Sequence, residues 1–331
     1  MTATRGLKDI GEFGLISRIS GQAPEGPGIL IGIGDDAAAV YSNQRRVNLI
    51  TTDMLVEGVH FDLSFSDPFS LGKKSLSVNL SDLAAMGGEP RHFLLSLAIP
   101  PVTTVDTLDE LTRGMLLKAA EYCVNLIGGD TCSSPDRLVI SITLMGDQLP
   151  ERIVRRNGAR KGDLVCVTGA VGDSALGLEQ LKKGIRAGYA VERHLDPTPR
   201  VREGVSLAEA GLATAMIDIS DGLPSDLGHI LDMSALGARI RFYDLPLSRF
   251  FREHTAGASP DSVLRLVAGG EDYELLFTIP PGKFHDVRGL MERLGTSVTE
   301  IGEITAEPGL VIIDTAGEVI APPLSGYDHF A

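Results

Sequence analysis

The sequence predicts an α/β (α+β) chain of two domains, each built on a mixed or antiparallel sheet. Three observations carry this reading. Strand-like and helix-like patterns alternate along all 331 residues. The strands come partly in succession and partly with helices between them, which suits a mixed sheet in each half better than one doubly wound parallel sheet. A polar stretch, ERIVRRNGARKGD at 151–163, interrupts the apolar patterning and divides the chain into residues 1–150 and 151–331.

The elements follow in order. Phe13, Leu15, Ile16 and Ile19 predict a short first helix, and a Pro/Gly-rich loop follows at 21–28. Apolar, β-branched runs predict strands at 47–51, 92–99 and 138–146, and helical spacing predicts helices at 68–86 and 104–123. Beyond the joint, LVCVTG at 164–169 is an expected buried strand. GDSALGLEQLKK, from residue 172, then opens a helix with Asp173 as its cap. Apart from two similar Ser-Asp endings, at 81–82 and 220–221, no fixed-period repeat is present.

Composition narrows the function classes. With 43% hydrophobic and 22% charged residues, the chain can bury a substantial core. The formal net charge is −14 and basic residues form no run beyond pairs such as Arg155-Arg156, so no nucleic-acid partner is expected. The longest apolar run, FLLSLAIPP at 93–101, is too short to cross a bilayer, and the first residues hold no apolar stretch of signal-peptide length. No membrane partner is expected. Cys123, Cys132 and Cys166 form no CxxC pair, which points to reduced thiols and a cytoplasmic protein. Cys132 reads as a small buried side chain.

The carboxylates carry the chemistry. GIGDDAAAV holds Asp35 and Asp36, and ITTDMLVEGVHF holds Thr51, Thr52 and Asp53. NLSD ends in Asp82, LIGGDTC holds Asp130, and DISDG holds Asp218 and Asp221. Any one of these reads as an N-cap or turn residue. Together, at element ends among small and apolar neighbours, they form a set of buried acids that needs cations or donors. Oxygen ligands with few histidines nearby select Mg²⁺ or Mn²⁺ over Zn²⁺, and carboxylate-held Mg²⁺ commonly serves a phosphate substrate.

Familiar nucleotide and nucleophile motifs are missing. There is no GxxxxGK[ST], HRD, DFG, HExxH or GxSxG. VTGAVGDSALG at 167–177 follows a strand but lacks GxGxxG spacing, so it reads as a tight turn. Ser81 and Ser220 lack an evident histidine partner and read as caps or ligands. No side chain is expected to act as nucleophile or general base.

Together, GIGDDAA, TTDMLVEGVHF, KSLSVNLSDLAAMGGEPR, IGGDT, VTGAVGDSALGL, IDISDGLPSDLGHI, GGEDYELLFT and GYDHF resemble the thiamine-monophosphate kinase family, in the family's order along nearly the whole chain. That family belongs to the aminoimidazole-ribonucleotide synthetase-like superfamily. The resemblance implies the two-domain fold of that superfamily, a homodimer, and ATP bound in the N-terminal domains near the subunit interface. It implies phosphorylation of thiamine monophosphate by ATP, giving thiamine diphosphate and ADP with the help of several Mg²⁺ ions. Position by position, Asp36, Thr51, Thr52, Asp53, Asp82, Asp130, Asp218 and Asp221 match metal ligands, with Asp35 an open case. Gly129, Asp130, Arg156 and Ser220 match ATP contacts. His60, Glu271 and Tyr327 match the thiamine-phosphate pocket.

Phosphoryl transfer fits these roles, because it asks mainly for alignment and charge neutralisation. The acceptor is already a phosphate anion and needs no general base. The thiazolium is cationic and suits an acid such as Glu271 and an aromatic face such as Tyr327. Two alternatives stay open at this point: another ATP-dependent enzyme of the superfamily, and a nonenzymatic Mg²⁺-nucleotide sensor. Selenophosphate synthetases should carry a reactive Cys near the N-terminus and hydrogenase-maturation relatives a Cys-bearing tail. This chain has no Cys before Cys123 and ends GYDHFA.

Overall fold

The computed structural model describes residues 29–31, 34–41 and 45–320. The expected first helix and Tyr327 lie outside the described residues. Six strands form the first sheet: β1 (Ile29–Ile31), β2 (Ala38–Tyr41), β3 (Val47–Val56), β4 (Glu89–Ile99), β5 (Asn125–Ser133) and β6 (Val139–Gln148). Their order is β1-β2-β3-β6-β4-β5, and only β4 and β5 run parallel. The expected strands are present. β3 runs five residues beyond its apolar core, to Val56, because ten residues of β6 pair with it.

Among the described residues, two helices belong to this half, α1 (Pro68–Ala85) and α2 (Val105–Glu121). Asp67 caps α1 by accepting from Ser70 N, and Pro68 opens its first turn, where a missing N–H costs nothing. The helices cross at two glycines. A Cβ on Gly72 would lie 1.9 Å from Leu111 O, and one on Gly114 would lie 1.9 Å from Phe69 O. Only the absence of side chains lets the backbones approach this closely.

Seven strands form the second sheet: β7 (Leu164–Thr168), β8 (Ala215–Asp218), β9 (Gly237–Arg241), β10 (Leu275–Ile279), β11 (Val298–Thr305), β12 (Gly309–Ile313) and β13 (Val319–Ile320). Their order is β13-β12-β9-β11-β7-β10-β8, antiparallel except for β9 with β12. Both halves therefore hold mixed sheets. The helices are α3 (Asp173–Lys182), α4 (Tyr189–Leu195), α5 (Val201–Glu209), α6 (Leu223–Ser234), α7 (Arg249–His254), α8 (Pro260–Val267) and α9 (Phe284–Leu294). Asp173 is not the cap of α3. Its carboxylate accepts from Ser248 Oγ, while Asp272 takes the N–H groups of Gly172 and Ser174. A residue about a hundred positions away does the capping, which no local motif reveals.

One buried cluster joins Leu76, Leu80 and Phe93 of the first half to Met216, Phe277 and Met291 of the second. A second cluster, including Val167, Ile217, Leu227 and Phe251, lies within the second half. Ion pairs add to the junction: Lys73 and Lys118 both reach Asp196, and Lys74 reaches Glu271. The site lies along this seam.

Candidate active site

The sheets bring acids to one place from four segments. β3 alternates, so Thr51 and Leu55 are buried while Thr52 and Met54 are exposed. Asp82 projects from the end of α1, Asp218 ends β8, and Asp36 comes from the turn before β2. Asp36, Asp82 and Asp218 each offer a carboxylate oxygen, and these oxygens lie within 4.8 Å of one another. Thr51 Oγ1 donates to Asp82 Oδ2 at 2.5 Å. Arg156, from the turn at 156–158, donates to both oxygens of Asp36 at 2.8 and 2.7 Å.

The electrostatics of this cluster are unfavourable without further positive charge. Burial, with repulsion from Asp53, Asp218 and Asp36, raises the Asp82 carboxyl well above the usual range. Burial and Asp36 push Asp218 up to about 7. Burial alone pushes Asp53 up to about 6. Asp35 rises to about 7, again from burial and then Asp36, and its Oδ1 is 4.0 Å from Arg156 Nε. Asp218 Oδ2 is buried without a hydrogen-bond partner among the described residues. Oxygen-only donors, crowded and under-neutralised, with one carboxylate oxygen unspent, fit a hard divalent cation.

A cavity of about 780 Å³ opens beside the cluster and is lined by Thr52, Asp53, His60, Phe61, Phe65, Val78, Lys182, His194, Ser220, Asp221, Glu271 and Tyr273, among others. It brings the carboxylates of Asp53 and Asp221 into one space with His60, Glu271 and Tyr273. His60 Nδ1 accepts from Val56 N at 3.0 Å, which leaves Nε2 to carry the proton. Glu271 Oε1 is 2.7 Å from Lys74 Nζ, and its Oε2 is 3.4 Å from His194 Nδ1. Burial raises the Glu271 carboxyl, but the Lys74 ammonium, by its charge and its hydrogen bond, outweighs it and holds the group below its usual range. Burial and Lys74 drive His194 down to about 3, so its ring is neutral.

The structure thus gathers Asp36, Thr51, Asp53, Asp82, Arg156 and Asp218 at one end, and His60, Ser220, Asp221 and Glu271 along the cavity. It does not bring Gly129 and Asp130 to them. Both lie on β5, where the register runs Met54–Ser141–Ser96–Asp130 across four strands. Three strand spacings of roughly 4.8 Å put Asp130 about 14 Å from β3. Gly129 also has a local reason to be glycine, since a Cβ would lie 1.7 Å from Leu95 O. Thr52 faces the same side as Met54, with its hydroxyl 3.1 Å from both Ile142 O and Thr143 Oγ1. Cys132, read as buried, is exposed on β5.

Sequence reasoning missed Lys74, His194 and Tyr273. It also missed Asp226, a carboxylate oxygen of which lies within 4.8 Å of an Asp221 carboxylate oxygen and a His229 ring nitrogen, and whose Oδ2 accepts from Asp221 N and Gly222 N. The i, i+4, i+8 spacing of Lys74, Val78 and Asp82 on one helix is the signal that could have found Lys74.

The chain is similar to known proteins along nearly its whole length. The family described as AIR synthase related protein, N-terminal domain, matches residues 34–147, and its C-terminal-domain counterpart matches residues 160–315. The chain is 40% identical over 330 residues to a thiamine-monophosphate kinase of Escherichia coli (strain K12), covering 97% of this chain and 98% of the relative. It is 34% identical over 327 residues to one of Bacillus subtilis (strain 168), covering 96% and 99%. Among solved structures, AaThiL complexed with AMPPCP and TMP superposes with a TM-score of 0.83 at 35% identity, covering 99% of this chain and 100% of that one.

Proposed function

The chain belongs to the thiamine-monophosphate kinase family, and on that premise we infer that it transfers the γ-phosphate of ATP to the phosphate of thiamine monophosphate, giving thiamine diphosphate and ADP. The observation that carries this reading is the three-aspartate cluster of Asp36, Asp82 and Asp218 next to Asp53, which lines a cavity that also holds Glu271. An anionic end and a cation-binding end in one cavity match an acceptor with a phosphate on one side and a thiazolium on the other.

Mg²⁺ is proposed as the resident cation, held by Asp36, Asp53, Asp82 and Asp218 with Thr51 supporting Asp82. When bound, it would offset the repulsion between two phosphate groups. The chain's own residues orient and exclude. Thr51 fixes one Asp82 oxygen, and Arg156 stands beside Asp36 within reach of a polyphosphate. Phe61, Phe65 and Val78 line the cavity with apolar surface that would keep water from the transfer. Glu271 and neutral His60 face the ring end. No residue accepts the phosphoryl group: the terminal P–O bond of ATP breaks as the acceptor oxygen bonds to the same phosphorus, and ADP leaves.

We further propose a homodimer in which Gly129 and Asp130 act in the site of a second copy. β5 is exposed along all nine residues, with Leu126 and Ile127 among them. An unprotected apolar edge strand is a surface that another chain can cover. The division of the chain near residue 150 and a cytoplasmic location belong to the same reading, and among the described residues no helix is long and apolar enough to cross a membrane.

Mixing the protein with γ-labelled ATP and thiamine monophosphate tests direct transfer. Label should appear in thiamine diphosphate and never on the protein; labelled protein trapped with ATP alone would overturn it.

A further inference from the structure

We propose that Lys74 is a positioning residue that sets the Glu271 carboxylate for the cationic ring, so that one stripe of α1 governs both ends of the acceptor; this rests on the ring-end role of Glu271 given above. Lys74, Val78 and Asp82 stand at i, i+4 and i+8, a span of about 12 Å along one helix face. Asp82 belongs to the aspartate cluster, Val78 lines the cavity, and Lys74 Nζ is 2.7 Å from Glu271 Oε1.

Exposure separates the two partners. The Lys74 side chain is 4% exposed and does not line the cavity, whereas that of Glu271 is 27% exposed and does. Lys74 therefore meets the carboxylate and not the ligand. Charge compensation keeps Glu271 ionised in a site that otherwise disfavours a buried carboxylate. Among the described residues, the other groups facing Glu271 are His194 on α4 and His60 after β3, with Tyr273 beside it in the same segment.

The backbone is held to match. Glu271 and Tyr273 adopt φ of +60° and +52°, a conformation side chains rarely take. Glu271 N donates to Ser220 O at 2.8 Å and Tyr273 N to Ile219 O at 2.9 Å, fixing the strained segment to the loop after β8. With the backbone pinned, Lys74 supplies the closer side-chain constraint on where Glu271 points, at 2.7 Å against 3.4 Å for His194.

The test is steady-state kinetics of Lys74→Met, Lys74→Arg, Glu271→Gln and the Lys74→Met/Glu271→Gln double variant, with circular dichroism to confirm folding. Lys74→Met should raise KM for thiamine monophosphate about tenfold or more while KM for ATP and kcat stay within about threefold. Lys74→Arg should recover most of the loss, and Lys74→Gln takes the place of Lys74→Met if that variant does not fold. The double variant should be no worse than Glu271→Gln. Additive losses in the double variant would overturn positioning, because they place Lys74 on the substrate itself. An elevated KM in Glu271→Gln with none in the folded lysine variants would overturn it as well. An unchanged KM in Glu271→Gln would instead sink the ring-end assignment, and this proposal with it.

Discussion

Arg156 places both arms of its guanidinium on one carboxylate, Nε on Asp36 Oδ2 at 2.8 Å and Nη2 on Oδ1 at 2.7 Å. Asp36 is also one corner of the aspartate cluster, so this fork is the protein's own counter-charge against Asp82 and Asp218. Removing one partner of a buried ion pair strands the other. Arg156→Met should therefore lower stability by about 3 kcal/mol in EDTA, and Mg²⁺ should restore part of the loss. Urea unfolding with and without Mg²⁺ checks this; the same loss in both conditions would separate Arg156 from the cation site.

Asp82→Asn and Asp218→Asn should each cut turnover by about a hundredfold or more with the fold intact. Each removes a charge that crowds its neighbours, so melting temperature without Mg²⁺ should hold or rise. Near-normal rates at saturating Mg²⁺ would make these residues structural caps.

Stability should depend on pH in a direction that the cluster dictates. Asp218 titrates near 7 and Asp53 near 6 in the folded chain, against an ordinary aspartate value of 3.8. Between about pH 4 and 7 the folded state then binds more protons than the unfolded one, so this contribution falls as pH rises. In EDTA the melting temperature should decline from pH 5 to 8, and Asp218→Asn or added Mg²⁺ should flatten the decline. A melting temperature that climbs across this range would contradict the raised values.

Asp130 offers a test of shared sites. If it acts in the site of a second copy, Asp53→Asn and Asp130→Ala proteins are each inactive alone. Unfolding and refolding them together should restore activity, since mixed dimers hold one site with both aspartates. No restoration would confine Asp130 to its own chain or to no role.

Much of this was legible in the sequence because it is written locally. Apolar alternation marks β3, and a Ser-Asp ending on an apolar helix marks Asp82. Both depend only on neighbours a few positions away. What stayed hidden depends on partners far along the chain. Asp272 caps α3 across a hundred positions, and the separation of Asp130 from Asp53 depends on the order of β3, β6, β4 and β5. Lys74 drew no reading, because its partner Glu271 lies far along the chain and no pattern around residue 74 announces it. The positive φ of Glu271 and Tyr273 is likewise imposed by the loop after β8.

The central claim is that one cavity pairs a phosphate-bearing acceptor with ATP across an aspartate-held cation. ADP release with Mg-ATP, measured side by side on thiamine monophosphate and free thiamine, tests it most directly. Thiamine monophosphate should drive turnover and free thiamine should not, because only the former places a phosphate at Asp36, Asp82 and Asp218. Faster turnover on free thiamine, or ATP binding with no turnover on either, would contradict the account.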